Sequence, residues 1–184
     1  MAIIATRIDG RLIHGQVANL WTTKLNIGRI MVIDDAVAQN DIEKQGLKLA
    51  CPPGVKLSIL PIEKAANNIK EGKYDSQRLL IVARRPENFL RLVEYGVELP
   101  ELNVGNMSQT PETRSVTRSI NVVDKDIADF DALAAKGVKL FAQMVPGDSP
   151  KDFMPLLDKV RYHSDIFEKF KGGSLLCNGG KYYF

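Results

Sequence analysis

Arg78-Leu79-Leu80-Ile81-Val82-Ala83 is apolar without a break after its first residue. A strand wetted on one face alternates apolar and polar side chains, so a run with no alternation has both faces covered. Helices above and below supply that cover, and this run is therefore read as a central strand of a parallel sheet. Outward from it the same grammar repeats. Before it stand strands over Ile3–Ile8, Arg29–Ile33 and Val55–Leu60, separated by helices over Gly15–Leu25, Asp41–Ala50 and Ile62–Lys70. Pro52-Pro53-Gly54 and Gly72 stop the second and third of those helices. After it, Pro86 opens a helix carrying Phe89, Leu92 and Val93 that ends at Gly96. A short strand over Leu102–Gly105, another over Val116–Val123, a helix over Asp124–Lys136 and a closing strand over Val138–Gln143 complete the pattern. Strand and helix alternate throughout, which gives an α/β fold: an open, mostly parallel central sheet of about six or seven strands with helices on both faces.

The whole domain is expected to span residues 1–161, with 162–184 as a tail of unassigned role, because Gly172-Gly173, Gly179-Gly180 and Tyr182-Tyr183-Phe184 show no periodicity. The apolar share of 45% and charged share of 26% are those of a globular chain, and none of its runs approaches a membrane span. The N-terminal run from Met1 meets Arg7 too soon for a secretory signal, which places the protein in the cytoplasm. Cys51 and Cys177 match no metal or redox spacing, and a reduced protein is the simpler reading. A net charge of +3 is too small to argue for nucleic acid.

In such sheets ligands bind beyond the carboxyl ends of the strands. The connection after the first strand reads Arg7-Ile8-Asp9-Gly10-Arg11-Leu12-Ile13-His14-Gly15-Gln16, directly before a helix. A phosphoryl group gives each of these types a use. The imidazole of His14 is a nucleophile near neutral pH. Arg7 and Arg11 offer donor forks that match phosphate oxygens. Gly10 and Gly15 let backbone N–H groups of the loop, with those of Leu12, Ile13 and Gln16, turn toward an anion at a helix N-terminus. Asp9 can orient the imidazole or an arginine. The plain alternative is that His14 is a helix cap or a surface residue and the arginines are solvated loop charges.

Other stretches carry less. Asn103-Val104-Gly105-Asn106-Met107-Ser108 brings Gly105 and Asn106 to the same sheet edge as a second source of backbone donors, or as a plain turn. Arg84 and Arg85 end a strand and either face that edge or lie exposed. Asp34-Asp35 could serve Mg²⁺ but shows no third ligand, and helix-entry charge is the default reading. Trp21, with Val17, Leu20 and Leu25, as well as Phe89 and Phe130, falls on an apolar helical face and reads as core. His163 has no supporting motif. No Gly-x-Gly-x-x-Gly, no loop ending in Gly-Lys-Ser/Thr and no zinc spacing occurs, which counts against nucleotide and metal enzymes and leaves no cofactor or metal to assign.

Arg7 through Val17 resembles the active-site segment of the IIB components of the mannose/fructose/sorbose family of the phosphoenolpyruvate-dependent sugar phosphotransferase system. The likeness continues through Trp21, Arg29-Ile30, Pro52-Pro53-Gly54-Val55, Leu102-Asn103-Val104-Gly105 and Asp126-Ile127, over roughly residues 2–160. Gly10 departs from the family pattern, which often has Asp there. The resemblance implies that His14 accepts a phosphoryl group on Nδ1 from a IIA partner and passes it to a sugar held by membrane IIC and IID partners, at which the protein would dock peripherally. It implies that Arg11 and Arg7 neutralise the group in transit, and it allows a homo-oligomer. A non-catalytic anion-binding or regulatory α/β module is the rival reading, and a nucleotide- or RNA-binding protein a weaker one.

Overall fold

Alternation along the strands divides the apolar side chains between two cores, one on each face of a sheet. The structure, a computed structural model, describes residues 3–161. In chain order the described strands are β1 (Ile3–Asp9), β2 (Arg29–Ile33), β3 (Lys56–Leu60), β4 (Leu79–Ala83), β5 (Glu101–Asn106), β6 (Arg114–Thr117), β7 (Ile120–Val122), β8 (Lys139–Ala142) and β9 (Lys151–Asp152). The helices are α1 (Gly15–Lys24), α2 (Asp35–Gln39), α3 (Asp41–Ala50), α4 (Ile62–Lys70), α5 (Pro86–Glu94) and α6 (Asp124–Ala135). A further helical segment runs over 154–161.

Seven strands form the main sheet in the order β3-β2-β4-β1-β5-β8-β9, parallel throughout except for β9 against β8. Every residue of β4 is buried, as its unbroken apolar run requires. Ile30, Val32, Leu80 and Val82 pack with Ala18 and Trp21 of α1, Val37 of α2 and Leu47 of α3. The intervening Met31, Ile33, Leu79, Ile81 and Ala83 pack with α4, α5 and α6 through Ala65, Phe89, Leu92, Phe130 and Leu133. On α4, Ile62, Ala65 and Ala66 fall on one helical face, the spacing that lets a helix bury a single stripe. Phe153, fully buried, meets Phe130 edge-on with ring centroids 4.7 Å apart. That contact ties the chain beyond β8 into the second core.

β1 and β4 lie side by side, yet the chain leaves β1 for α1 on one face and leaves β4 for α5 on the other. Adjacent strands departing to opposite faces open a crevice at their carboxyl ends, and β1 ends in it.

Four expectations need correcting. Val116–Val123 is not one strand but a hairpin: β6 and β7 pair antiparallel in a sheet of their own around Arg118-Ser119. The strand over Val138–Gln143 does not close the sheet, because β9 adds an antiparallel edge. A short helix, α2, stands between β2 and α3, where no separate helix was expected. Leu20 is 49% exposed, although Trp21 beside it is buried. The default reading of Asp34-Asp35 holds, since Asp34 caps α2 by accepting from the N–H groups of Ala36 and Val37, each at 3.0 Å. Tyr162 onward, with His163 and Cys177, lies outside the described residues.

Asp35 joins the two helical layers. Its carboxylate accepts from the Ile62 N–H at 2.9 Å and from Arg91 Nη1 at 2.7 Å. Burial alone would raise this carboxyl, but the Ile62 N–H and the Arg91 guanidinium outweigh it and hold it below its ordinary value. A carboxyl with a lower folded than unfolded pKa contributes stability that is complete above the unfolded value of about 3.9 and lost as pH falls through the folded one. Asp35→Asn is therefore expected to lower stability at pH 7 by up to about 1 kcal/mol, a half-exposed pair being screened by water. In urea titrations the gap between variant and wild type should close below about pH 4; a gap independent of pH would contradict this account.

Candidate active site at the end of strand β1

Period-two alternation puts Arg7 and Asp9 on one face of β1 and Ile8 on the other. Arg7 is 3% exposed and Asp9 is 1% exposed, so both charges have left water and must be satisfied inside. Asp9 Oδ2 accepts from Arg7 Nε at 3.3 Å and Nη2 at 3.0 Å. Arg7 Nη1 donates to the Gln143 carbonyl at 2.9 Å, and Nη2 also donates to the Met144 carbonyl at 3.1 Å. The guanidinium carbon lies 5.2 Å from the centroid of the Trp21 ring, whose Nε1–H reaches the same Met144 carbonyl at 3.4 Å. Burial depresses the Arg7 pKa, and the charge of Asp9 opposes that fall. Arg7 is thus a clamp between β1 and the turn after β8, not an exposed cation facing a ligand.

The clamp depends on a glycine. An added Cβ on Gly105 would stand 2.1 Å from the Arg7 guanidinium carbon, so a side chain there would push the guanidinium off its carbonyl partners. Gly105 therefore clears space for Arg7, a different use from the backbone donation its position suggested. Asn103, two residues earlier on the same face of β5, accepts from the Gln143 N–H at 3.1 Å and fixes the turn from the other side. Gly105 and Asn106 belong to β5 and not to a loop, and the Asn106 carbonyl accepts from the Gly10 N–H at 2.9 Å.

The second oxygen of Asp9 shapes the loop. Asp9 Oδ1 accepts from the Arg11 N–H at 3.2 Å, and the Asp9 carbonyl accepts from the Leu12 N–H at 2.8 Å, closing a turn. Leu12 takes φ +58°, a left-handed conformation that costs a branched-chain residue about 1–2 kcal/mol. Its burial opposes that cost: Leu12 and Ile13 are 4% and 5% exposed, packed with Ala18 and Trp21. These two apolar residues plug the loop into the core and leave Arg11 and His14 on the outside. Among the described residues, the Arg11 side chain keeps a single long contact of 3.5 Å, between its Nε and Asp9 Oδ1.

His14 is the N-cap residue of α1 by position, with extended backbone (φ −133°, ψ 105°), yet its imidazole makes no capping bond. Gly15, at φ +32°, turns the chain into the helix, and Gln16 follows in the first turn. That first turn contains no acidic residue. Its N–H groups are among those a helix cannot satisfy internally, and the N-cap side chain, His14, supplies no acceptor. An exposed imidazole, an exposed arginine and uncapped helical N–H groups therefore share one short segment, an arrangement suited to holding a tetrahedral oxyanion beside a nitrogen nucleophile. Among the described residues no group of His, Cys, Asp and Glu could hold a metal ion. The partners of Arg7 escaped the sequence because Gln143 and Met144 act through backbone carbonyls, which leave no signature in residue type.

Known proteins resemble this chain over most of its length. A family model described as the PTS system sorbose subfamily IIB component matches residues 3–167. The fructose-specific EIIB component of Bacillus subtilis (strain 168) is 33% identical over 160 residues, covering 87% of this chain and 98% of that protein. The mannose-specific EIIAB component of Escherichia coli (strain K12) is 36% identical over 160 residues, and the chain spans 50% of its length. The crystal structure of the IIB domain of the sorbose permease from Klebsiella pneumoniae superposes with a TM-score of 0.82 at 31% identity, covering 86% of this chain and 98% of that one.

The clamp predicts a contrast between two glycines. Gly105→Ala, which drives a methyl group into the Arg7 guanidinium, is expected to cost about 1–3 kcal/mol. Gly46→Ala, on the open face of α3 where an added Cβ meets nothing within 4 Å, should instead gain about 0.5–1 kcal/mol. Urea unfolding midpoints of the two variants read this directly, and equal shifts would refute the close approach of Arg7 to β5.

Proposed function

Since the chain belongs to the sorbose subfamily of IIB components of the sugar phosphotransferase system, we propose that it carries phosphoryl groups on His14. A phospho-IIA partner donates the group, and a sugar presented by membrane IIC and IID partners accepts it. The observation that carries this reading is the free imidazole at the uncapped, acid-free start of α1. A residue that merely capped the helix would spend its side chain on the N–H groups that His14 leaves open.

Phosphoryl transfer asks the protein for positioning and charge rather than covalent chemistry. The imidazole nitrogen attacks phosphorus as the bond to the donor's histidine breaks, and a nitrogen–phosphorus bond keeps the group labile for the next step. Arg11 neutralises the equatorial oxygens, with N–H groups from Gly15 onward supporting them. Arg7 and Asp9 position the loop from below. Leu12 and Ile13 lock its backbone, so little reorganisation is needed when the group arrives. No helix among the described residues is long and apolar enough to cross a membrane, which suits a protein that works in the cytoplasm and meets the membrane through its partners. The relatives' names include fructose, sorbose, mannose and N-acetylgalactosamine, and the sugar here belongs to that group.

Intact-mass measurement after incubation with phosphoenolpyruvate, the general phosphotransferase proteins and a IIA component tests the role. Wild type should gain one phosphate that mild acid removes, and His14→Ala should gain none. Arg11→Gln should fold normally and take up phosphate about a hundredfold more slowly, the usual cost of deleting one charge-stabilising donor. Labelling of His14→Ala, or none of wild type with an active IIA, would leave a binding module as the better account.

A further inference from the structure

Two arginines at the end of β4 have no part in the chemistry described so far. β4 alternates between the two cores, so Arg84 leaves toward the α1–α3 side and Arg85 toward the α4–α6 side. Each meets a carboxylate there. Arg84 Nη2 donates to Glu43 Oε2 at 2.6 Å, and Arg85 Nη1 donates to both oxygens of Asp126 at 3.3 Å. The two carboxylates occupy the same place in their helices. Glu43 is the third residue of α3, whose cap Asn40 accepts from the Glu43 N–H, and Asp126 is the third residue of α6, where it accepts from the Val123 N–H at 3.0 Å. Helices on opposite faces of the sheet thus orient the two guanidinia by one device. A helix N-terminus partly offsets the charge of each carboxylate, so the outer edge of each guanidinium remains positive.

These arginines flank the loop that holds His14. Ile8 pairs with Ala83, so Asp9-Gly10 and Arg84-Arg85 leave the sheet edge side by side. Gly10, Arg84, Arg85, Met107, Ser108, Thr110 and Asn121 line a cavity of about 130 Å³ in which neither Glu43 nor Asp126 takes part. The volume suits a phosphate group. Among the described residues each arginine gives one terminal nitrogen to its carboxylate and keeps Nε and the other terminal nitrogen to donate. Two forks arriving from opposite faces fit a tetrahedral dianion better than a planar carboxylate, which one fork would satisfy.

We propose that this cavity is an oxyanion subsite for a phosphoryl group, gripped by Arg84 and Arg85 with the Ser108 hydroxyl as a further donor. The group arrives either on His14, a source that rests on the carrier role proposed above, or as a free phosphate ester; the recognising chemistry is the same. Amide resonances of Gly10, Arg85 and Ser108 report on it in two arms. In one, inorganic phosphate is titrated into unphosphorylated wild type and into His14→Ala. In the other, wild type is compared before and after phosphorylation through IIA. Saturable shifts in the titration identify a free phosphate as the source, and shifts on phosphorylation alone identify phosphohistidine. In the arm that responds, Arg84→Gln/Arg85→Gln should weaken phosphate binding about tenfold or more, or abolish the phosphorylation shifts, and the double Lys variant should recover part of the effect. No shifts in either arm, or shifts unchanged in the double Gln variant, would overturn the proposal. If the double variant does not fold, Arg84→Gln alone, at a half-exposed ion pair, decides by the same criteria. Failure of wild type to take up phosphate from an active IIA would defeat the carrier role while the titration still judged the subsite.

Discussion

Everything at the carboxyl edge of this sheet hangs on one buried ion pair. Arg7 and Asp9 are too deeply enclosed for water to solvate, and isolated charges in that position would cost several kilocalories per mole. The surroundings are built to prevent it. Asp9 divides its oxygens between the Arg7 guanidinium below and the loop backbone above, so the charge that neutralises Arg7 also sets the turn that presents His14. Arg7 in turn reaches the carbonyls of Gln143 and Met144 and rests on Trp21 of α1. Strand, loop, helix and distal turn meet through two side chains.

The sheet order gives that pair its importance. Because the chain leaves β1 and β4 toward opposite faces, the ends of these strands border a crevice. The hydrogen-bonding surfaces that converge there are an uncapped helix start from α1 and a pair of guanidinia from β4. Each would be unremarkable alone on a surface. The topology, which keeps β1 between β4 and β5, makes them neighbours.

Much of this was legible in the sequence, and the gaps have physical causes. The run after Arg78 located β4, and β2, α3 and α4 appear with the expected ends, because their apolar spacing and Pro/Gly boundaries leave little choice. The helix α2 is five residues long, too short for periodicity to register. Between β6 and β7 the turn is Arg118-Ser119, without the glycine or asparagine that marks a tight hairpin, so Val116–Val123 looked continuous. Edge strand β9 has two charged residues and no apolar pattern at all. In the candidate site, loop composition pointed to His14, Arg11, Arg7 and Asp9; the structure leaves His14 and Arg11 exposed and buries Arg7 with Asp9 beneath the loop. The difference between Arg7 as ligand and Arg7 as clamp lay elsewhere: in a missing Cβ at Gly105 and in carbonyls whose residue types say nothing.

The clamp also sets an order of events during synthesis. Arg7 leaves the ribosome well before its partners, because the carbonyls it needs lie 136 and 137 positions later. A nascent chain can form the local turn from Asp9 to Leu12 long before that, with its arginine still hydrated. Contacts of such sequence separation form late because loop closure must be met first. The loop with its histidine therefore exists early as a sequence and acquires its rigid seat only when β8 has docked and the turn behind it has closed over Arg7. Competence at the site is in this sense a report that the chain has been made and folded through residue 144, well beyond the strand that bears the loop.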